Sequence, residues 1–225
     1  MKRLLRIIFI GIGLGILLSL IQRVFQIETH TFLRGYWMIA PALVVGAILI
    51  NVLYNLHYHR KMRDILTLLK EGRAADYVDA MEALIQTAKG TRLKDILRLN
   101  LSAGYCELKQ FDTAVRILEA LPYARFQGAV KLVYCLNLCV SYFHTTQWEK
   151  ALALYRENEP LIARYRTGPY GGNVAELDII AAILAGQFDQ AEHLIASART
   201  AWEDPRLQED YCQLESILAD ARQKS

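Results

Sequence analysis

The chain has few of the residue patterns on which catalytic and metal sites depend. Its 225 residues include five histidines and four cysteines, but the histidines are scattered and none has the His-Glu-x-x-His spacing of a zinc hydrolase. No two cysteines have the Cys-x-x-Cys spacing of a zinc or redox site. These absences predict a protein with no catalytic residues, no metal and no cofactor, so we do not expect an enzyme.

A nucleotide site is not expected either. The glycine-rich segment 168–172 follows no predicted strand and has no Lys-Ser or Lys-Thr pair after it, and a phosphate-binding loop requires both. We interpret this segment as a flexible turn between repeats. No segment has the sustained β-branched alternation of a strand, so the sequence predicts an all-α chain.

Cys135 and Cys139 are four residues apart and can share one face of a helix. They could form a metal-binding pair, or they could pack between helices as small apolar side chains. We favour packing. We also expect all four thiols to be reduced, as in a cytosol-like compartment.

The net charge of +3 conceals an asymmetry along the chain. Residues 1–63 contain eight Lys or Arg and one acidic residue, whereas residues 64–225 contain 18 basic and 22 acidic residues. A nucleic-acid-binding protein needs a basic stripe on its folded part. Nucleic acid is therefore not an expected partner.

Two long apolar runs begin the chain. Leu4–Ile21 contains eighteen residues with a single charge, and Gly35–Leu56 contains twenty-two residues with none. As helices they reach roughly 27 and 33 Å, enough to cross a hydrocarbon core of about 30 Å. We therefore predict a two-span transmembrane hairpin over residues 1–58, with helices at about 4–22 and 35–56, embedded in a lipid bilayer.

Basic residues near the ends of the two spans predict their orientation. Three lie at the N-terminal end of the first span and three follow the second, against two in the connecting loop. This bias places both termini in the cytoplasm. The expected protein is a multi-pass protein of the plasma membrane whose second domain, residues 59–225, is cytoplasmic. The basic residues are Lys2, Arg3, Arg6, Arg60, Lys61 and Arg63.

Small residues in the spans indicate close helix packing. Gly11 and Gly15 lie one turn apart in the first span, and Ala42 and Gly46 in the second. Such pairs let helix backbones approach closely in lipid. We expect helix–helix association within the hairpin, or with a partner's membrane helix.

A fourteen-residue fragment recurs in the rest of the chain. Leu101–Ala114 returns as Leu138–Ala151 and, more weakly, as Asp178–Ala191, and an eroded copy ends at Ala80. The four closing alanines are 34, 37 and 40 residues apart, a spacing typical of stacked helix pairs. An aromatic residue precedes each alanine by three positions: Tyr77, Phe111, Trp148 and Phe188.

This pattern resembles the tetratricopeptide repeat, a family whose repeats hold other proteins. The resemblance implies a right-handed α-solenoid of about four helix pairs, closed by a C-terminal capping helix with a polar outer face. Each alanine is expected where two helices cross, and each aromatic ring in the gap beside it. The predicted helices are 74–88, 92–108, 111–121, 126–144, 148–165, 173–185, 188–203 and 206–223. No glycine or proline other than Gly46 occurs between Leu43 and Glu71, so the second span is predicted to continue into the first repeat helix.

In such arrays the first helix of each pair lines a concave groove. Asn100 and Asn137 each stand fourteen residues before a marker alanine, so stacked repeats place them side by side, where they could hydrogen-bond an extended peptide. Alternatively, both only satisfy neighbouring backbone groups. The remaining predicted groove residues are apolar: Leu99, Ala103, Cys106, Val133, Leu136 and Val140. The basic residues that a carboxylate-clamp repeat uses are missing from this face, so an apolar or mixed peptide, or a partner helix, is the expected client.

Two functions are compatible with these features. The favoured prediction is a membrane-anchored scaffold or adaptor that recruits or assembles partner proteins at the inner membrane surface. The alternative is an assembly or quality-control factor, acting like a holdase, for membrane proteins, since the predicted groove is unusually apolar.

Overall fold

The structure, a computed structural model, describes residues 15–16, 18–24 and 28–224. Throughout these residues the fold is all-α, without a strand. The helices after residue 28 are α1 (Thr29–Lys70), α2 (Ala74–Thr87), α3 (Thr91–Glu107), α4 (Phe111–Glu119), α5 (Gly128–His144), α6 (Trp148–Ile162), α7 (Gly171–Leu184), α8 (Phe188–Ala201) and α9 (Pro205–Lys224). Short 3-10 helices follow α4 (Tyr123–Arg125) and α6 (Ala163–Tyr165).

The helices from α2 onward confirm the sequence prediction. Each begins and ends within three residues of its predicted bounds. The chain divides into two compact units, Met1–Arg60 and Lys61–Ser225, and the division falls within α1.

Within the described residues, one helix is long and apolar enough to cross a membrane, by length and composition. It is the 34-residue stretch Trp37–Lys70, whose most apolar window has a mean hydropathy of 2.1 and buries none of its residues. Helix α1 continues past Leu56 to Lys70, as predicted. Of the first predicted span, only residues 15–16 and 18–22 are described, and they are helical. The rest of that span lies outside the described residues, so the two-helix hairpin is not shown.

The C-terminal unit is built from helices that pack in sequential pairs. Helix α3 packs against α2 and α4, α5 against α6, and α7 against α8. Helices α3, α5 and α7 also contact one another in sequence, which makes them an inner row. Helix α9 covers the end of the array by packing on α7 and α8. Its fully buried Tyr211 and its buried Leu214 and Leu218 form the apolar face of this capping helix.

One backbone turn occurs four times among the described residues. Gly72, Lys109, Thr146 and Gly186 all have positive φ, between 57° and 73°. After each of them, the next residue donates its N–H to a carbonyl five residues back, as Gln110 does to Tyr105 (2.8 Å) and Gln147 to Tyr142 (2.9 Å). This is the Schellman arrangement, in which a left-handed residue ends a helix. The recurrence shows that the repeat is a property of the backbone as well as of the side chains.

The turns correct the predicted register of the first copy. Helices α2, α4, α6 and α8 begin at residues 74, 111, 148 and 188, so the marker alanines are the fourth residue of their helices. The fourth residue of α2 is Tyr77 and not Ala80. The large ring fits because Gly104 of α3 faces it: a Cβ added to Gly104 would lie 2.6 Å from Tyr77 Cδ1. The first copy therefore has its small residue on the opposite helix, and the identification of Ala80 as a marker was wrong.

The predicted role of the aromatic residues is also corrected. Trp148 is 55% exposed and does not fill a gap between repeats. Phe111 and Phe188 are only partly buried, and the Phe111 ring stacks on His144 at 4.1 Å between ring centroids. The fully buried Ala114 and Ala191 do lie in the core, as predicted for helix crossings. Cys135 and Cys139 are buried in apolar clusters, which confirms their packing role.

The glycine-rich segment is more than a turn. Gly171 and Gly172 are the first residues of α7 and both are buried. A Cβ added to Gly171 would lie 2.2 Å from Trp202, and one added to Gly172 would lie 2.2 Å from Leu207. Tyr211 donates its hydroxyl to the Gly172 carbonyl at 2.9 Å. Glycine at these two positions therefore lets Trp202 and the capping helix pack closely on α7, and this was not predicted from the sequence.

Candidate functional site

A cavity of about 260 Å³ lies along the inner row of helices in the C-terminal unit. Its walls come from α3, α5, α7 and α9 and from the last turn of α1. Five of the eight residues predicted for the groove line it: Ala103, Cys106, Leu136, Asn137 and Val140.

The other three predicted residues lie elsewhere. Leu99 is buried in the core, and Val133 packs against the same apolar cluster. Asn100 donates its side-chain amide to the carbonyl of Ile96 on its own helix, at 2.8 Å. Asn100 therefore satisfies a neighbouring backbone group and does not line the cavity beside Asn137.

Asn137 belongs to a polar network between α3 and α5. Its amide donates to Ser102 Oγ at 3.1 Å. Ser141 Oγ donates to the Asn137 carbonyl at 2.6 Å and lies 3.3 Å from Cys106 Sγ. Burial raises the pKa of the Cys106 thiol to about 12, so at neutral pH it is protonated and is a poor nucleophile.

Charged side chains also line the cavity. Lys109 Nζ lies 3.6 Å from Asp210 Oδ1, and Arg206 Nη1 lies 3.7 Å from Glu107 Oε1. Burial raises the pKa of both carboxyl groups. Burial and the nearby Lys109 charge lower the pKa of His144, which keeps its imidazole uncharged at neutral pH. The wall thus combines two ion pairs with apolar side chains.

Glu176 is the exceptional residue of the cavity. It is 8% exposed and lines the cavity from the first turns of α7. Burial, followed by the negative charge of Asp210, raises its pKa to about 8. In the described part of the chain it forms no hydrogen bond and no salt bridge, although the charges of Asp210, Lys109 and Glu107 act on it electrostatically. Buried carboxyl groups are normally paired, so Glu176 needs an explanation.

The repeat register contains the signal that could have identified Glu176. Leu99 and Leu136 each stand fifteen residues before a marker alanine, and Glu176 stands fifteen before Ala191. The third copy therefore has a carboxyl group where the other two have leucine. The groove was predicted from two copies only, so this carboxyl group was not predicted. The contribution of α9 was not predicted either, because its Asp210 was interpreted as part of the polar face of the capping helix.

Another cleft of the unit, about 580 Å³, lies between α6, α7 and α8. There Asp178 accepts hydrogen bonds from Tyr155 (2.6 Å) and Arg166 (2.8 Å). Across the described residues, no group of three or more His, Cys, Asp and Glu side chains could hold a metal ion. Chemically, the inner cavity is equipped for binding through amides, ion pairs and one unpaired carboxyl group.

The chain matches no model of a protein family, no curated protein and no solved structure. The resemblance to tetratricopeptide repeats therefore depends on the residues and the turn geometry described above.

Proposed function

We propose that this protein is a membrane-anchored adaptor whose helix array binds a segment of a partner protein in the inner cavity. The observation that carries the proposal is the cavity itself, which presents Asn137, Glu176 and apolar side chains together on the inner row of helices. Arrays of stacked helix pairs use such inner surfaces to hold extended segments. The array shares its chain with an apolar, exposed helix of membrane-spanning length.

We further propose that the anchor is a two-span hairpin in the plasma membrane, with both termini and the array in the cytoplasm. The two apolar runs and the excess of basic residues outside their connecting loop support this topology. A cysteine introduced at Thr31 should react with a membrane-impermeant maleimide in intact cells, while the C-terminus stays protected from added protease. A protease-accessible C-terminus would contradict the topology.

Cross-linking and affinity capture from mild detergent would test the adaptor function. One partner should be recovered in stoichiometric amount with the wild-type chain. Asn137→Ala should weaken its capture, because an amide in a partly desolvated cavity contributes about 0.5–1.5 kcal/mol, or roughly two- to tenfold in affinity. Asn100→Ala is the matched control, since it makes the same change at the equivalent position outside the cavity, and it should have little effect.

The holdase alternative requires a mostly apolar groove. Eight of the fourteen residues that line the cavity are charged, amide or imidazole side chains. This composition favours a specific segment over a range of apolar ones. Recovery of many membrane proteins in small amounts would favour the holdase, and substrate turnover by the purified chain would contradict both proposals.

A further inference from the structure

The charges on the cavity wall do not balance. Two carboxyl groups have cationic partners in the wall, since Asp210 is paired with Lys109 and Glu107 with Arg206. Arg206 also lies 3.3 Å from Asp204, so it is already shared between two acids. Glu176 is the third carboxyl group and has no salt bridge among the described residues. Once ionised, it gives the cavity one uncompensated negative charge.

The Glu176 side chain is directed into the cavity. It is more than nine-tenths buried, yet it lines the cavity. In the part of the chain that the structure describes, every buried side-chain oxygen that is sealed from solvent has a hydrogen-bond partner. The oxygens of Glu176 have no partner, so it follows that they remain open to the cavity. An ionised carboxylate in such a position requires a counter-charge from outside the wall.

We propose that the cavity binds an arginine side chain of the partner's segment, with Glu176 as its counter-ion. The source of this arginine depends on the adaptor function proposed above. The chemical preference of the cavity for a guanidinium group does not depend on that function.

The dimensions and walls of the cavity suit this occupant. Its volume of about 260 Å³ is below the range of about 300–1,000 Å³ that is usual for small-molecule pockets, and suits a single long side chain. Ala103, Leu136 and Val140 provide an apolar surface for the methylene stem. Both Glu176 oxygens are without a partner and can accept two parallel N–H bonds, the geometry that guanidinium offers and ammonium does not.

Binding should be linked to the protonation of Glu176. The pKa of about 8 means that most Glu176 side chains are protonated at neutral pH, and an arriving guanidinium must displace that proton. Arginine affinity should therefore increase with pH, by about five- to tenfold between pH 7 and pH 8.5, and then level off. The titratable and charged groups facing Glu176 are Cys106, Glu107, Lys109, His144, Arg206, Asp210 and Tyr211.

The test uses the full chain in neutral detergent, labelled with carbon-13 at its glutamate carboxyl groups. The probes are N-acetyl-arginine methylamide and its uncharged counterpart N-acetyl-citrulline methylamide, titrated while the glutamate resonances are recorded. The Glu176 resonance is the one missing from Glu176→Gln. We expect it to shift on arginine binding, with arginine preferred over citrulline by about ten- to a hundredfold. Glu176→Gln should abolish this preference, while Glu149→Gln, at an exposed residue of α6 outside the cavity, should retain it.

Several results would overturn the proposal: no saturable shift of the Glu176 resonance with arginine, equal affinity for the two probes, or a preference for arginine that persists in Glu176→Gln. The pH dependence provides a measurement on the wild-type chain alone, and an affinity that is unchanged between pH 7 and pH 8.5 would also overturn it. The probes require no partner protein. Failure to capture a partner would therefore contradict the adaptor function but not the arginine site. Absence of arginine binding would contradict the arginine site but not the adaptor function.

Discussion

At the scale of single residues, Glu176 should impose a pH dependence on stability. Its pKa is about 8 in the folded chain, against 4.5 for an unperturbed glutamate, so the folded state holds the proton more tightly. The stabilisation is complete below about pH 4.5 and is lost as the pH rises through 8. Relative to Glu176→Gln, the wild-type chain should lose on the order of a few kcal/mol of unfolding free energy between pH 5 and pH 8.5.

Thermal unfolding of both chains over this pH range, followed by circular dichroism, measures the difference. His144 has a lowered pKa and gives a slope of the opposite sign near its own titration, but both chains retain it. A constant difference between the two chains would show that Glu176 is not protonated on folding.

Two aromatic residues should respond very differently to truncation. Tyr211 is fully buried and donates to the Gly172 carbonyl, so Tyr211→Ala should cost about 3–5 kcal/mol of unfolding free energy. Trp148 is 55% exposed, and Trp148→Ala should cost about 1 kcal/mol or less. Denaturant unfolding of the two variants measures both costs. A large loss of unfolding free energy in Trp148→Ala would indicate that the Trp148 ring is buried, as the repeat pattern predicted.

A backbone substitution at Thr146 should stabilise the chain. Thr146 has φ +59°, a left-handed conformation that costs a β-branched residue about 1–2 kcal/mol. Thr146→Gly should remove this cost. Glycine also increases the conformational entropy of the unfolded chain, which offsets part of the effect, so the net gain in unfolding free energy should be up to about 1 kcal/mol.

The neighbouring threonine is the control for this substitution. Thr145 has φ −93° and donates its hydroxyl to the Ser141 carbonyl at 2.8 Å. Thr145→Gly should therefore destabilise the chain under the same denaturant titration. Equal effects of the two substitutions would show that the left-handed turn is not strained.

At this scale the sequence predicted the site only in part. Local spacing identified Asn137 and Cys106, because both lie at fixed distances from a well-marked alanine. It did not show that the Asn100 amide would bond to its own helix, since that depends on a rotamer. Nor did it show that α9 would bring Asp210 and Arg206 to the cavity, because this requires knowing where the capping helix packs.

At the scale of helices, the crossing of α2 and α3 should be intolerant of added volume. A Cβ at position 104 would meet the Tyr77 ring at 2.6 Å and Val78 Cγ2 at 2.8 Å. Gly104→Ala should cost about 1–3 kcal/mol, despite the better helix propensity of alanine.

A double-mutant cycle checks the physical reason for this cost. If the Tyr77 ring causes it, Gly104→Ala should cost markedly less in a Tyr77→Leu background. An unchanged cost would locate the clash elsewhere.

Helix bounds were well predicted because glycine, proline and apolar periodicity are local signals. The register of the first copy was not, since an alanine three residues from the true position satisfied the same pattern. The position of the turn at Gly72 and the match between Tyr77 and Gly104 distinguish the two registers, and that match joins two helices. The first membrane span and the hairpin stay predictions.

At the scale of the whole molecule, the four cysteines should differ strongly in reactivity. Cys212 is exposed on α9, whereas Cys135 and Cys139 are buried in the middle of the array. Burial raises the pKa of Cys135 to about 12 and that of Cys139 as well, so neither forms a thiolate at neutral pH. A polar maleimide should label Cys212 in the native chain within minutes, and Cys135 and Cys139 only when the array opens.

Mass spectrometry after timed labelling would measure these rates, and Cys212→Ala should remove the fast phase. Rapid labelling of Cys135 or Cys139 in the native chain would mean that the central helices are not packed as described.

The repeated left-handed turn has a consequence for how the chain can change in length. Lys109 and Thr146 have nearly the same φ, 57° and 59°, and the same pattern of backbone hydrogen bonds surrounds each. The backbone therefore has nearly the same local geometry at the start of the segment 109–145 and directly after its end. If this segment were duplicated or deleted in a gene, the chain would be rejoined at a turn of the existing geometry. No new loop would be needed. Homologous chains that differ by whole units of about 37 residues are an expected product of this geometry.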